Sequence, residues 1–241
     1  MNLCVDRGNT LVKLAVFEGE QLVYESGAEK LSEEQLTLVL DRFPVKHCIA
    51  SSTAVLPGFL AASCGQRGIG FLELSHLTPL PFRNAYKTPA TLGKDRLAGV
   101  AGAMTLKPAT DVLVVDAGTA ITFDFLDADG VYRGGNIAPG VAMRARALHE
   151  FTSRLPLIDL YKPGELLGDD TRSAINNGVV YGAVFEIDGY IDSLVLKYPK
   201  LSTFLTGGSS FYFDNKLKNR TFAVKNLVLT GLNRILNFNV Q

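Results

Sequence analysis

The sequence predicts an α/β protein built from two similar lobes, each a mixed sheet with flanking helices. Two observations support this fold class. Predicted strands and helices alternate along the chain. A segment that runs strand, Asp-x-Gly, strand, acidic turn, strand occurs twice, and Asp6 of the first copy matches Asp116 of the second, 110 positions later. Because a single repeat at nearly half the chain length favours two related domains over a solenoid, we expect lobes at 1–108 and 109–241.

The first lobe contains its copy of the repeat and then alternating elements. Glu18-Gly19-Glu20 joins two apolar runs and predicts a hairpin turn. Ser32-x-x-Gln35 is a capping box, which predicts a helix that starts near 33. The predicted elements are strands at 2–6, 11–17 and 21–27, a helix at 33–43, strands at 46–52 and 71–75, and a helix at 93–107.

The second lobe opens with the second copy of the repeat, at 111–135, whose acidic turn is Asp127-Ala128-Asp129-Gly130. The segment at 134–140, GGNIAPG, is rich in Gly and Pro and indicates a rigid loop. The remaining predicted elements are helices at 141–151 and 171–197, a strand from 202 that runs into a Gly turn, and a closing helix at 224–238.

Composition excludes several classes of protein. The chain has 24 basic and 24 acidic residues, so its formal net charge is zero, and a general binder of nucleic acids needs a basic excess that is missing here. No apolar run approaches 18 residues, so we expect no membrane span. The first ten residues lack the basic and apolar regions of a signal peptide. Cys4, Cys48 and Cys64 form no paired motif and indicate buried free thiols, so we expect a cytoplasmic protein.

The repeated Asp-x-Gly turn suits phosphate binding. A Gly turn between two strands lets backbone N–H groups converge on one point, where they can hold phosphate oxygens. A carboxylate there repels phosphate and therefore acts through a cation such as Mg²⁺, usually through water. A single Asp-x-Gly is also the sequence of an ordinary turn, but its duplication with the same flanks favours a functional loop. No Walker A or G-x-G-x-x-G motif is present, so a nucleotide is bound in another way.

The stretch TLGKDRLAG, at 91–99, is the second candidate site. At the start of a helix, Asp95 can take a proton from a hydroxyl that attacks phosphorus. Arg96 can bind an anionic group of the substrate bidentately. The alternative is an ordinary helix N-terminus, where the macrodipole favours an acidic residue. Thr206-Gly207-Gly208 also has two interpretations, a close approach to an adenosine or a plain turn.

With these pieces in order, the chain resembles the type III pantothenate kinases. These belong to the superfamily of sugar kinases, acetate kinase, actin and heat-shock ATPases. The resemblance covers essentially the whole chain. Its motifs are D-x-G-N-T-x-x-K at 6–13, Tyr-x-x-Pro at 86–89 followed by G-x-D-R at 93–96, D-x-G-T-A-x-T-x-D at 116–124 and G-G-x-I-x-P-G at 134–140.

The resemblance implies an actin-like (ribonuclease H-like) fold with the nucleotide in the cleft between the lobes. It also implies ATP-dependent phosphorylation of pantothenate to 4′-phosphopantothenate, the first step of coenzyme A biosynthesis. Mg²⁺, a monovalent cation (K⁺ or NH₄⁺) and a homodimer with a shared substrate pocket are expected by the same resemblance. The alternatives are a non-catalytic transcriptional accessory factor of this fold and another small-molecule kinase of the superfamily.

The resemblance also assigns residues. Asp95 is the expected catalytic base. The expected ATP-binding residues are Asp6, Arg7, Gly8, Asn9, Thr10, Leu11, Val12, Lys13 and Thr119. The expected pantothenate-binding residues are Tyr86, Gly93, Lys94, Asp95, Arg96 and Thr171. Asp116 is the expected ligand of the monovalent cation, and Asp6 lies near Mg²⁺ through water.

Two positions depart from the family pattern. Gly99 stands where many members carry Asn, and Arg7 fills a position that is often aliphatic. We expect Gly99 to loosen the packing behind Asp95, and we expect Arg7 to add positive charge beside the first phosphate turn. We expect neither to abolish activity.

Overall fold

The computed structural model describes residues 1–53 and 55–240 and contains two mixed sheets with helices around them. The strands are β1 (Asn2–Arg7), β2 (Val12–Glu18), β3 (Gln21–Ala28), β4 (His47–Ser52), β5 (Gly70–Glu73), β6 (Arg83–Asn84), β7 (Val112–Ala117), β8 (Ala120–Leu126), β9 (Val131–Pro139), β10 (Ser202–Thr206) and β11 (Thr221–Ala223). The helices are α1 (Glu33–Arg42), α2 (Gly58–Gln66), α3 (Lys94–Leu106), α4 (Val141–Glu150), α5 (Thr171–Val195) and α6 (Leu227–Asn239). Short 3₁₀ helices lie at Pro89–Thr91 and Ser210–Phe213.

The two sheets repeat one topology. The first has the order β3-β2-β1-β4-β5, and the second has the order β11-β10-β7-β8-β9-β6. If β7 to β11 are renumbered 1 to 5, the second sheet read from β9 to β11 also has the order 3-2-1-4-5, and β6 is an additional strand beside β9. In the first sheet β1 is antiparallel to β2 and parallel to β4, and in the second β10 is parallel to both β7 and β11. The predicted α/β fold class and the predicted internal repeat are confirmed.

The packing of the chain defines two compact units. Unit 1 consists of Met1–Ala109, Leu126–Gly134 and the segment that starts at Asn226. Unit 2 consists of Thr110–Phe125 and Gly135–Lys225. The division into lobes at 1–108 and 109–241 differs from this grouping and stays a prediction.

Local sequence determines the start of α1, as expected. The Ser32 hydroxyl accepts the N–H of Gln35 at 3.1 Å, and the Gln35 side chain accepts the N–H of Ser32 at 3.2 Å. This reciprocal cap satisfies two N–H groups that the first turn leaves without an intrahelical partner. Leu36, Val39 and Leu40 then point into the core of unit 1.

The three cysteines are buried free thiols, as predicted. Burial raises the pKa of the Cys4 thiol. A hydrogen bond with Cys64 and burial together hold the pKa of Cys48 well above its ordinary value. Because the thiolate is the reactive form, both of these groups behave as small core residues.

Helices α3 and α6 of unit 1 cross in contact at two glycines. A Cβ on Gly102 would lie 2.2 Å from the carbonyl oxygen of Leu227, and a Cβ on Gly231 would lie 1.7 Å from the carbonyl oxygen of Ala98. Only glycine allows the two backbones to approach this closely. The crossing fixes α3, whose first turn contains Asp95 and Arg96.

Unit 2 has its own core, in which α4 and α5 cover the sheet. Ile175, Val179, Ala183 and Ile187 of α5 are buried there, and Arg144 of α4 forms an ion pair with Glu186 of α5. The Nδ1 atom of His149 lies 2.8 Å from the carbonyl oxygen of Leu155, a local structural contact.

The structure corrects several predicted elements. The predicted loop at 134–140 is mostly strand, because β9 continues to Pro139. The closing helix begins at Leu227, three residues later than expected, since Thr221–Ala223 forms β11. Helix α2 and strand β6 were not predicted. Within 1–53 and 55–240, none of the helices combines the length and the apolar character needed to cross a membrane.

Candidate active site

The first turn of α3 brings the predicted base to an ordered position. Gly93 is the N-cap and makes no side-chain cap bond, and Asp95 follows within the first turn. The Oδ1 atom of Asp95 accepts the backbone N–H of Arg96 at 2.9 Å. A Cβ on Gly93 would lie 2.5 Å from this same oxygen. The absence of a side chain at 93 therefore leaves room for the carboxylate in its observed place.

Arg96 lies beside this carboxylate but is almost completely buried, with 6% of its surface exposed. Its guanidinium carbon lies 5.9 Å from the centre of the Tyr86 ring, a cation–π arrangement. Lys94 differs from these neighbours, because its Nζ lies 3.7 Å from Oε1 of Glu73. Of the residues predicted to bind pantothenate, the structure therefore brings together Tyr86, Gly93, Asp95 and Arg96.

The first Asp-x-Gly turn connects β1 and β2 of unit 1. Asp6 lies opposite Lys13 in this antiparallel pair, and the N–H of Gly8 donates to the carbonyl of Leu11 at 3.0 Å. Val12 is buried in the core, so its side chain serves packing. Arg7 donates a side-chain hydrogen bond to the carbonyl of Val55.

The exposed residues of this turn are Asn9, Thr10 and Leu11. The Asn9 side chain accepts a hydrogen bond from the hydroxyl of Thr53 at 3.3 Å, which ties the turn to the end of β4. The tip of the turn thus presents backbone and short polar groups to solvent, as a phosphate-binding turn requires.

The second Asp-x-Gly turn, between β7 and β8 of unit 2, has the same place in its sheet but is two residues shorter than the first. The N–H of Gly118 donates to the carbonyl of Ala120 at 3.0 Å. Asp116 occupies the position that Asp6 has in the first copy. Thr119 lies on the turn, where its carbonyl accepts the N–H of Gly140 at 3.1 Å.

Gly207 adjoins the second turn, a contact that no sequence pattern predicts. It has a φ of +94°, and a Cβ there would lie 2.5 Å from both Oδ1 of Asp116 and the carbonyl oxygen of Ala117. The Thr206-Gly207-Gly208 segment is therefore a close approach to Asp116. Whether an adenosine binds there stays a prediction.

Thr171 is the first residue of α5, directly after the N-cap Asp170. The carboxylate of Asp170 accepts the N–H of Arg172 at 2.7 Å and that of Ser173 at 3.0 Å. Hydrogen bonds from the backbone of Ser173 and Arg172 lower the pKa of Asp170. This cap fixes the exposed end of the helix that presents Thr171.

Two cavities border unit 1 elements. A cavity of about 160 Å³ includes Arg7 and Val12 in its lining, next to the first turn. A cavity of about 550 Å³ lies between β3 and α1 and shares no residue with the predicted site. Within the part of the chain that the structure describes, no three His, Cys, Asp or Glu side chains form a group that could hold a metal ion.

Comparison with known proteins gives one consistent result. The family model described as type III pantothenate kinase matches residues 2–193. A curated type III pantothenate kinase from Phocaeicola vulgatus is 47% identical over 239 residues, which is 99% of each chain. The match therefore extends over nearly the whole length of both chains.

Solved structures share the fold. A Campylobacter jejuni protein described as a Baf family transcriptional activator has a TM-score of 0.61 at 21% identity and covers 98% of both chains. A Listeria monocytogenes protein described as an N-acetylmannosamine kinase has a TM-score of 0.57 at 12% identity, with 100% of this chain and 99% of the other covered. At these identities the likeness concerns the fold alone.

Proposed function

We propose that Asp95 and Arg96 are the residues that bind and activate pantothenate in this chain. The chain belongs to the type III pantothenate kinase family, and it therefore transfers phosphate from ATP to pantothenate for coenzyme A biosynthesis. One observation supports this assignment above the others. The Asp95 carboxylate and the Arg96 side chain are neighbours at the first turn of α3. Gly93 leaves room for the carboxylate, and the Tyr86 ring packs against the guanidinium. Pantothenate has a hydroxyl to be phosphorylated and a carboxylate to be held, and these two side chains match those two groups.

Asp95 acts as the general base in this proposal. A primary alcohol is a far weaker acid than a carboxylic acid, so Asp95 cannot deprotonate it fully before the reaction begins. The carboxylate orients the hydroxyl and accepts its proton late, as the bond to phosphorus forms. Product formation gives 4′-phosphopantothenate and ADP.

Arg96 binds the carboxylate of pantothenate. A guanidinium presents N–H donors in a planar fork that matches a carboxylate. Because Arg96 is buried, the ion pair forms with little competition from water, which strengthens it. Tyr86 and Thr171 complete the pantothenate contacts that we propose, and Lys94 contributes through its backbone.

The first turn binds the phosphates of ATP. Its exposed backbone and the side chains of Asn9, Thr10 and Lys13 are suited to phosphate oxygens. The donor set also fits Mg²⁺, since Asp6 offers hard carboxylate oxygens and water and phosphate oxygens supply the rest. Bound Mg²⁺ supplies charge neutralisation on the transferring phosphoryl group.

The second turn suits a monovalent cation. The carboxylate of Asp116 lies against the backbone of Gly118 and Gly207. A Cβ placed on Gly118 would lie 3.7 Å from Oδ1 of Asp116, and one placed on Gly207 would lie 2.5 Å from it. Carboxylate and backbone carbonyl oxygens are hard ligands, which fit K⁺ or NH₄⁺. We propose that Asp116 holds this cation and that Thr119 contacts ATP.

A homodimer is supported by the surface of unit 2. Gly178, Gly182, Phe185 and Gly189 share one face of α5 by their spacing, a Cβ at each of the three glycines would meet open space, and Phe185 is 60% exposed. Further large apolar side chains of unit 2 are exposed at Met143, Phe151, Leu157, Leu166 and Leu167. Exposed apolar surface of this extent marks interaction sites, and we propose a second copy of the chain as its partner.

A cytoplasmic setting also belongs to the proposal. Its support is that all three cysteines are free thiols in the core, as is usual where the cell keeps thiols reduced.

The experiment that tests the function is a coupled assay of ADP release. With ATP and Mg²⁺, the purified chain should release ADP when pantothenate is added and not when a panel of sugars is added. Replacing K⁺ by Na⁺ should lower the rate. Turnover with a sugar instead of pantothenate would overturn the substrate, and an unchanged rate in Na⁺ would overturn the role of the monovalent cation.

A further inference from the structure

Tyr132 lies next to Tyr86 on the β9 side of the Tyr86–Arg96 pair, and no sequence motif assigns it a role. It is the second residue of β9 and is completely buried, at 0% exposure. Its ring centre lies 6.2 Å from that of Tyr86 and 6.5 Å from that of Phe82. The three rings, which are tilted relative to one another, and the guanidinium of Arg96 thus form a continuous aromatic cluster within unit 1.

The backbone of the same region fixes where Tyr86 can stand. Strand β6 pairs with β9, with Asn84 opposite Tyr132. The carbonyl of Tyr132 accepts the N–H of Ala85 at 3.1 Å, and the side chain of Asn84 accepts the N–H of Tyr86 at 2.9 Å. The two residues before Tyr86 are therefore held by β9 itself.

Gly134 completes the support. It has a φ of +112°, which non-glycine residues rarely adopt, and a Cβ placed on it would lie 3.5 Å from the Tyr86 ring. The ring of Tyr86 consequently packs along the backbone of β9, with Tyr132 on one side. Its remaining freedom is small, and Arg96 lies over its face.

The β8–β9 turn that precedes Tyr132 is also ordered. Asp127 is 7% exposed, accepts the N–H of Val131 at 2.8 Å and pairs with Arg133 at 2.6 Å. The segment from Asp127 to Gly134 is thus a rigid element, and it belongs to unit 1 together with α3.

We propose that Tyr132 is a positioning residue for recognition of the substrate carboxylate, because it holds Tyr86 in the orientation that supports the Arg96 guanidinium. This inference rests on the proposed role of Arg96. Tyr132 does not touch the substrate. Its effect is transmitted through the Tyr86 ring, so it should change the binding of pantothenate and leave the binding of ATP and the chemical step almost unchanged.

The test compares Tyr132→Leu with Tyr132→Phe in steady-state kinetics. Loss of the ring should raise KM for pantothenate by about three- to thirtyfold, the range that a cation–π contact supports, with kcat and KM for ATP within about twofold. Tyr132→Phe keeps both ring contacts and should restore KM for pantothenate to near the wild-type value. Phe204→Leu is the matched control, since it removes an equally buried ring from a ring pair in unit 2, and it should leave KM for pantothenate unchanged.

A double-mutant cycle with Arg96→Lys separates positioning from general loosening. If Tyr132 acts through Arg96, adding Tyr132→Leu to Arg96→Lys should change KM for pantothenate by less than about twofold. The positioning role would be overturned if the effects of Tyr132→Leu and Arg96→Lys on KM for pantothenate were fully additive. It would also be overturned if Phe204→Leu raised KM for pantothenate as much, or if Tyr132→Leu impaired kcat, KM for ATP and KM for pantothenate to the same degree. If Arg96→Lys itself leaves KM for pantothenate unchanged, the proposed carboxylate site fails instead, and the two failures are therefore distinguishable.

Discussion

At Gly93 a hydrogen atom stands where any other residue would place a carbon 2.5 Å from Oδ1 of Asp95. The glycine is therefore part of the proposed catalytic arrangement although it offers no functional group. The carboxylate occupies the space that a side chain at 93 would fill, and it is held there by the backbone N–H of Arg96. The glycine two positions before the aspartate in Gly-x-Asp-Arg is therefore explained by the room that the Asp95 carboxylate needs at the start of the helix.

Gly93→Ala tests this reasoning. The added methyl displaces the Asp95 carboxylate, and a shift of about 1 Å in a catalytic group costs up to about 10²-fold in rate. We expect kcat to fall about 10- to 100-fold while the fold, followed by circular dichroism, is retained. Gly58→Ala, at a position where a Cβ meets open space, should leave kcat unchanged. A wild-type kcat in Gly93→Ala would show that the clearance is not needed.

The sequence was sufficient to predict that Asp95 and Arg96 lie together at the start of a helix, and the structure places both in the first turn of α3. Their chemical roles stay a proposal. The sequence was not sufficient to predict their surroundings. The approach of Gly207 to Asp116 and the aromatic cluster behind Tyr86 involve residues distant in sequence, and only the folded chain brings them together. The motif at 6–13 also includes a position that serves the core: Val12 is expected to bind ATP from the sequence, but its side chain is buried in the core.

At the scale of elements, the crossing of α3 and α6 fixes the helix that starts with the site. Contact at Gly102 and Gly231 leaves no space for a methyl group on either helix. The position of α3, and with it that of Asp95, depends on this packing.

Gly231→Ala should destabilise the protein by about 1–3 kcal/mol or more, because the helices must move apart to admit the methyl group. Denaturant unfolding measures the effect. Gly65→Ala, in α2 where a Cβ meets open space, is the matched control and should be neutral or stabilising, since Ala is the better helix former. Equal stability of the two variants would contradict the close crossing.

The cap of α5 predicts a pH dependence. Backbone hydrogen bonds from Ser173 and Arg172 lower the pKa of Asp170 in the folded state. Its contribution to stability is therefore complete above the unfolded pKa, about 3.9, and is lost as pH falls through the lower folded value. Asp170→Asn should flatten the acid side of a plot of melting temperature against pH below about pH 4. An unchanged slope would remove this cap from the acid response.

Elements with local signals were predicted correctly. The capping box of α1 and the hairpin at Gly19 are determined by a few neighbouring residues. Helix α2 was missed because it begins after Pro57 without a side-chain cap. The second half of β9, from residue 134 to 139, reads as a loop in the sequence because its Gly and Pro residues suggest a turn, whereas pairing in the sheet overrides that preference.

At the scale of the whole molecule, the repeated strand order explains why two Asp-x-Gly turns exist. Each turn connects the first and second strands of a sheet with the same topology. The zero net charge agrees with a small anionic substrate held by backbone amides, a buried Arg and cations, for which a basic surface is not needed.

The proposed dimer gives a prediction at this scale. Phe185→Glu places a charge on the exposed face of α5 and should shift the protein from dimer to monomer in sedimentation velocity. Leu38→Glu is the matched control, because Leu38 is 70% exposed on α1 of unit 1, and this variant should remain dimeric. A monomeric wild type, or a dimer that survives Phe185→Glu, would contradict the assigned face.

The most direct test of the central claim is the single-turnover rate of Asp95→Asn with pantothenate and ATP. We expect that the variant folds, binds ATP with unchanged affinity and transfers phosphate about 10²–10⁴-fold more slowly than the wild type. A rate close to that of the wild type would show that Asp95 is not the base.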